Sequence, residues 1–112
     1  MASSFHLLVA IPEKDPVSYS LSGDTVSVGR SPANDIQILV REISTSHCEF
    51  TATESGYQIN DKGSTNGTKV NDRSVKEPVE LHTRDVILLG ETVPTYFIVA
   101  EEGADIDLKA EI

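Results

Sequence analysis

The chain has 112 residues, 38% hydrophobic and 24% charged, with seven Gly and five Pro, which fits one globular domain and leaves no room for a second. Eighteen acidic against nine basic residues give a formal charge of −9, opposite to the footprint that phosphate-backbone binding leaves, so broad DNA or RNA binding is excluded. The longest apolar run, Leu7 to Ile11, falls far short of the roughly 20 residues of a membrane-spanning helix, so no membrane partner is expected.

Met1 to Ile11 has no Lys or Arg ahead of its apolar stretch and no small-residue cleavage site behind it, and does not read as a secretory signal. From there on, apolar residues recur at period 2 rather than 3.6, as in Val26 and Val28, Ile36 and Ile38, Cys48 and Phe50, Tyr57 and Ile59. The pattern predicts strands over Phe5–Ile11, Val17–Leu21, Thr25–Gly29, Asp35–Leu39, His47–Ala52, Tyr57–Asn60, Thr68–Val70, Val79–Leu81, Val86–Leu89 and Thr95–Ala100. Turn residues separate them at Pro12–Pro16, Gly23–Asp24, Ser31–Asn34, Glu54–Gly56, Asp61–Gly67, Asn71–Asp72, Gly90 and Pro94. No window carries an amphipathic helical stripe behind a cap, and no repeat is present. The fold class is therefore all-β, an antiparallel sandwich of about ten to eleven short strands. Asn66-Gly67 is the best short hairpin signal, because both residues tolerate the positive φ of a type I′ turn.

Residues 1–100 are expected to form the domain and residues 101–112 an acidic tail or linker. Strict alternation of Ala104, Ile106, Leu108, Ala110 and Ile112 with charged residues makes an extra edge strand the alternative there. The tail holds five acids and one base, net −4, leaving net −5 for residues 1–100. Seven of the nine basic residues lie between Arg30 and Arg84, so any anion site belongs in that stretch. Cys48, the one cysteine, cannot form an internal disulfide, which fits a reducing, cytoplasmic compartment.

Four loop segments carry the chemistry: Val28-Gly29-Arg30-Ser31, Asn34-Asp35-Ile36, Ile43-Ser44-Thr45-Ser46-His47 and Gly63-Ser64-Thr65-Asn66-Gly67-Thr68. Taken alone, Arg30 at a strand end is either a solvated loop arginine or a fork placed to meet a phosphate bidentately, with Gly29 before it letting the backbone turn closely. In order and spacing these segments resemble the forkhead-associated (FHA) domain, a phosphothreonine-peptide recognition module with an FHA/SMAD-like sandwich. The resemblance runs through Gly29-Arg30, Ser44 to His47, Asp61 to Thr68 and Val86 to Gly90, and covers roughly residues 5–100.

The resemblance implies that Arg30, Ser44, Thr45 and Thr65 contact phosphate and that Asn66 bonds the peptide main chain. It implies that Gly29, His47 and Gly67 support the site. The family frequently has Arg or another long or amide side chain after the serine, where this chain has Thr45. The implied function is a phosphopeptide-binding signalling module, a monomer whose partner is a phosphothreonine-containing protein, a Ser/Thr kinase substrate or the kinase itself. The alternative is a phosphate-independent interaction or oligomerisation module on the same fold. A hydrolase using Ser44 or Ser46 with His47 is disfavoured, because no G-x-S-x-G elbow or other nucleophile signature appears. His6, His47, Cys48 and His82 lack metal-ligand spacing, and Gly63 to Thr68 lacks the lysine of a P-loop, so no metal and no cofactor are expected.

Overall fold

The alternation that marks the sequence turns one side of each strand inward. In the computed structural model, which describes residues 3–101, this yields β1 (Ser3–Val9), β2 (Val17–Leu21), β3 (Thr25–Gly29), β4 (Ile36–Gln37), β5 (Cys48–Ala52), β6 (Tyr57–Asp61), β7 (Thr68–Val70), β8 (Arg73–Ser74), β9 (Val79–Glu80), β10 (Val86–Leu89) and β11 (Val93–Glu101). They form a six-stranded sheet, β2-β1-β11-β10-β7-β8, and a five-stranded sheet, β4-β3-β5-β6-β9. Leu7, Val9, Ile87, Leu89, Val93 and Phe97 from the first sheet meet Val26, Val28, Cys48, Phe50, Tyr57 and Ile59 from the second in one core. Phe5 closes it with an edge-on contact to Tyr57, ring centroids 5.3 Å apart.

The sandwich is as expected, with one exception to its antiparallel pairing: β3 and β4 run parallel, Val28 opposite Ile36 and Gly29 opposite Gln37. The chain doubles back between them through a turn closed by Asn34 N–H on the Ser31 carbonyl. Asp35 Oδ2 then accepts both the Ser27 N–H and the Ser27 hydroxyl, pinning the returning chain beside β3. β4 is shorter than Asp35–Leu39 because the chain turns away after Ile38, with Val40 N–H donating to the Ile38 carbonyl and Ile43 N–H to Val40. β8 was not anticipated, its two residues being polar and exposed.

The type I′ expectation for Asn66-Gly67 is corrected. Only Gly67 is left-handed, φ 86°, while the consecutive left-handed pair is Asn71 and Asp72, φ 49° and 70°. Asn71-Asp72 joins β7 to β8, with Val70 opposite Arg73. The physical reason is partnership: β6 pairs with β5 and β9, β7 with β10, so the intervening loop crosses between sheets and cannot be a hairpin. The proposed tail strand lies outside the described residues, although Glu101, the first tail residue, ends β11.

Inside the core, Thr95 lies between Val9 and Ile87 and is fully buried, and its hydroxyl is the one buried side-chain polar atom without a hydrogen-bond partner among the described residues. Thr95→Val keeps the shape and removes the desolvated hydroxyl, and should stabilise the fold by about 1 kcal/mol. A thermal melt should show it as a rise of about 4–8 °C, and a fall would mean that the hydroxyl has a partner in solution.

Candidate functional site

The β3–β4, β4–β5 and β6–β7 loops converge at one end of the sandwich. Backbone hydrogen bonds first zip the β3–β4 loop to the β4–β5 loop: Arg30 N–H donates to the Ser44 carbonyl at 2.9 Å and Ser31 N–H to Thr45 at 3.3 Å. Asn34 adds a side-chain bridge, its amide reaching the Thr45 carbonyl at 2.7 Å and the Ser31 carbonyl at 3.0 Å. This approach is possible only because position 29 is glycine, since a Cβ there would stand 2.2 Å from the Thr45 carbonyl oxygen and 2.6 Å from the Asn34 amide nitrogen.

The β6–β7 loop is shaped by Asp61. Its Oδ2 accepts the N–H groups of Gly63 and Ser64, and its Oδ1 accepts the hydroxyls of Ser64 at 2.5 Å and Thr68 at 2.7 Å. Burial works against this carboxylate, yet the Ser64 and Thr68 hydroxyls and the two N–H groups outweigh it and hold its pKa below the ordinary aspartate value. Two further bonds tie this loop to its neighbour: Thr65 N–H donates to Ser44 Oγ and the Asn66 amide to the Glu42 carbonyl, both at 2.9 Å.

His47 lies beneath, with 0% of its surface exposed. Nδ1 accepts the Ser44 N–H at 3.0 Å, which leaves Nε2 protonated and donating to the Gly67 carbonyl at 2.9 Å. Burial lowers its pKa, against the opposing pull of the Gly67 hydrogen bond and the Asp61 charge, so the ring is held neutral. With both ring nitrogens occupied by loop backbone, His47 fastens the β4–β5 loop to the β6–β7 loop. The Gly67 carbonyl also takes Gly90 N–H at 3.0 Å, joining the β10–β11 turn to the same post.

Above this framework is an open depression of about 360 Å3 lined by Arg30, Arg41, Glu42, Ile43, Ser44, Thr45, Ser46, Gly63, Thr65 and Asn66. The structure thus brings together Arg30, Ser44, Thr45, Thr65 and Asn66, places Gly29 and His47 beneath them, and puts Gly67 at the point where His47 is anchored. Ser44 Oγ accepts from Thr65 and, as a hydroxyl, still has one proton to donate. Among the described residues no acceptor takes a hydrogen bond from the Arg30 guanidinium. An exposed guanidinium beside a free hydroxyl can hold a tetrahedral oxyanion.

Arg41 and Asn34 were not singled out individually in the sequence. Arg41 is one of the basic residues between positions 30 and 84, a signal too coarse to choose it, and the role of Asn34 depends on two loops meeting. Cys48 sits below the site with its thiol pushed up by burial and by the Asp61 and Glu49 charges, and so stays protonated and unreactive. Among the described residues no cluster of three or more His, Cys, Asp or Glu could hold a metal ion, and no helix is long and apolar enough to cross a membrane.

The FHA domain family model matches residues 26–90. Over 98 residues the chain is 32% identical to Protein phosphatase 2C 70 of Arabidopsis thaliana, spanning 77% of this chain and 17% of that protein. The solved FHA domain of an Arabidopsis thaliana hypothetical protein superposes with a TM-score of 0.77 at 31% identity, covering 92% of this chain and 90% of the other. A chain solved in a structural and functional analysis of phosphothreonine-dependent FHA domain interactions superposes with a TM-score of 0.73 at 26% identity, over 90% of this chain and 99% of that one.

Proposed function

Since this chain belongs to the FHA domain family, a family of phosphopeptide-binding modules, we propose that it binds phosphothreonine in a partner protein through Arg30, Ser44, Thr45 and Thr65, with Asn66 meeting the peptide main chain. The observation that carries this reading is the convergence of Arg30, Ser44, Thr45, Thr65 and Asn66 on one open depression. In this reading the Arg30 fork pairs with two phosphate oxygens and the Ser44 hydroxyl donates to another, while Thr45 and Thr65 supply further hydroxyls at the rim. His47, Gly29 and Gly67 position these groups and touch no ligand. Ligand and site part without chemistry, and the partner is a kinase substrate or the kinase itself, met by a monomer in the cytoplasm. The buried, protonated thiol of Cys48 is compatible with a reducing setting.

The chain's charge of −9 does not oppose such a site. A contact pair at about 4 Å is worth about 4 kcal/mol at an effective dielectric of 20, whereas charges beyond about 8 Å are largely screened at physiological salt. Titration with a phosphothreonine peptide, its unphosphorylated form and its Glu form tests the reading. Only the first should bind, because a carboxylate carries one charge and two coplanar oxygens where phosphate carries about −1.5 to −2 and three acceptors. Affinity should also fall from pH 7.5 to 5, across the second phosphate pKa of about 6. Equal binding of the unphosphorylated peptide would favour the phosphate-independent interaction module, and a Glu peptide of equal affinity would rule out recognition of a dianion.

A further inference from the structure

Arg41 is the second guanidinium of the depression, and it stands on a differently built segment from Arg30. It occupies the tip of a turn that Ile43 N–H closes on the Val40 carbonyl at 2.9 Å, and the turn is anchored by Ile43, fully buried. The next carbonyl, that of Glu42, is held by the Asn66 amide at 2.9 Å. It also lies against Gly90, where a Cβ would stand 2.6 Å away. The exposed Arg41 side chain therefore projects from a fixed backbone, and among the described residues no carboxylate pairs with it. Glu42, the one carboxylate lining the depression, has Oε1 within 3.5 Å of the Thr92 hydroxyl.

The two arginines line the depression from different segments with different backbone neighbours. Arg30 is joined by its backbone to Ser44, whose Oγ meets Thr65, so the phosphate-directed donors cluster there. Arg41 adjoins the contact between Glu42 and Asn66, the residue assigned above to the peptide main chain. We propose that Arg41 is a specificity-determining residue that selects phosphothreonine partners carrying an acidic residue close to the phosphorylated one. The proposal rests on the phosphothreonine reading and deepens it: Arg30 reads the phosphate and Arg41 a neighbouring carboxylate.

The test uses an alanine-background phosphothreonine peptide in which Asp, and separately Lys, is walked through every flanking position, with affinities read by fluorescence anisotropy. At one position or two adjacent ones Asp should bind at least about threefold tighter than Ala and Lys correspondingly weaker, the range of an exposed ion pair. Arg41→Gln should remove the Asp-to-Ala ratio and Arg41→Glu should invert it in favour of Lys. A flat profile for the natural chain overturns the proposal. So does an Arg41→Gln variant that loses affinity for all peptides alike and keeps the ratio, because Arg41 would then be a phosphate ligand. Both outcomes leave phosphothreonine binding intact, whereas failure of every phosphopeptide to bind would overturn the phosphothreonine reading along with this one.

Discussion

Arg30→Ala is expected to weaken binding of a phosphothreonine peptide at least about thirtyfold, because truncating one partner of a close charge pair costs about 2–5 kcal/mol and each 1.4 kcal/mol is tenfold. The melting temperature should barely move. The side chain is exposed, and the backbone bond that fastens this position to Ser44 uses the Arg30 N–H, which alanine retains. Arg30→Lys should recover only part of the loss, since an ammonium supplies the charge without the fork. Isothermal titration measures all three proteins, and an alanine variant within about threefold of the natural affinity would remove Arg30 from the site.

His47→Ala should act in the opposite way, on the fold first. It empties a fully buried position and leaves the Ser44 N–H without its acceptor, although the Gly67 carbonyl keeps Gly90. Cavity and orphaned donor together should cost about 3 kcal/mol or more, a fall in melting temperature above about 10 °C for a domain of this size. Loss of binding would follow from the loosened loops. The pH dependence distinguishes His47 from a generic core residue. Because the folded ring titrates below the ordinary value of 6.5, the unfolded chain takes up the proton first. The stability is intact above pH 6.5 and is lost as pH falls through 6.5 toward the folded value, at up to about 1.4 kcal/mol per pH unit. The alanine variant lacks this portion of the acid sensitivity, which urea melts across the range would reveal. An unchanged melting curve with lost binding would make His47 a ligand contact.

The strands were legible because period 2 is written in single residues: Val26 and Val28 alternate in the sequence and are buried together in the structure. What was not legible depends on which strand meets which. Asn66-Gly67 has the composition of a hairpin turn, and the division of β6 and β7 between sheets overrides it. Asn71-Asp72 was marked as a break, and only the Val70–Arg73 pairing makes it the left-handed hairpin. β4 lost its outer residues to a turn that no apolar pattern announces. At the site, residue types in motif order pointed to Arg30 and Ser44, whereas Asn34 and Arg41 owe their places to loops that approach one another only once both sheets have formed.

The register of β1 on β11 sets Ser3 opposite Glu101, and facing residues of an antiparallel pair are only about 5 Å apart at Cα. Chain entry and exit therefore share one doorstep. The strands leading to it, β1 and β11, lie outside the stretch matched by the family model, residues 26–90, apart from which they supply Leu7, Val9, Val93 and Phe97 to the core. A unit with such adjacent ends can be carried in a surface loop of a larger protein at little cost in loop closure. It can equally hang from a linker without stretching, provided the cut is made beyond both strands and not at the borders of the recognition motifs.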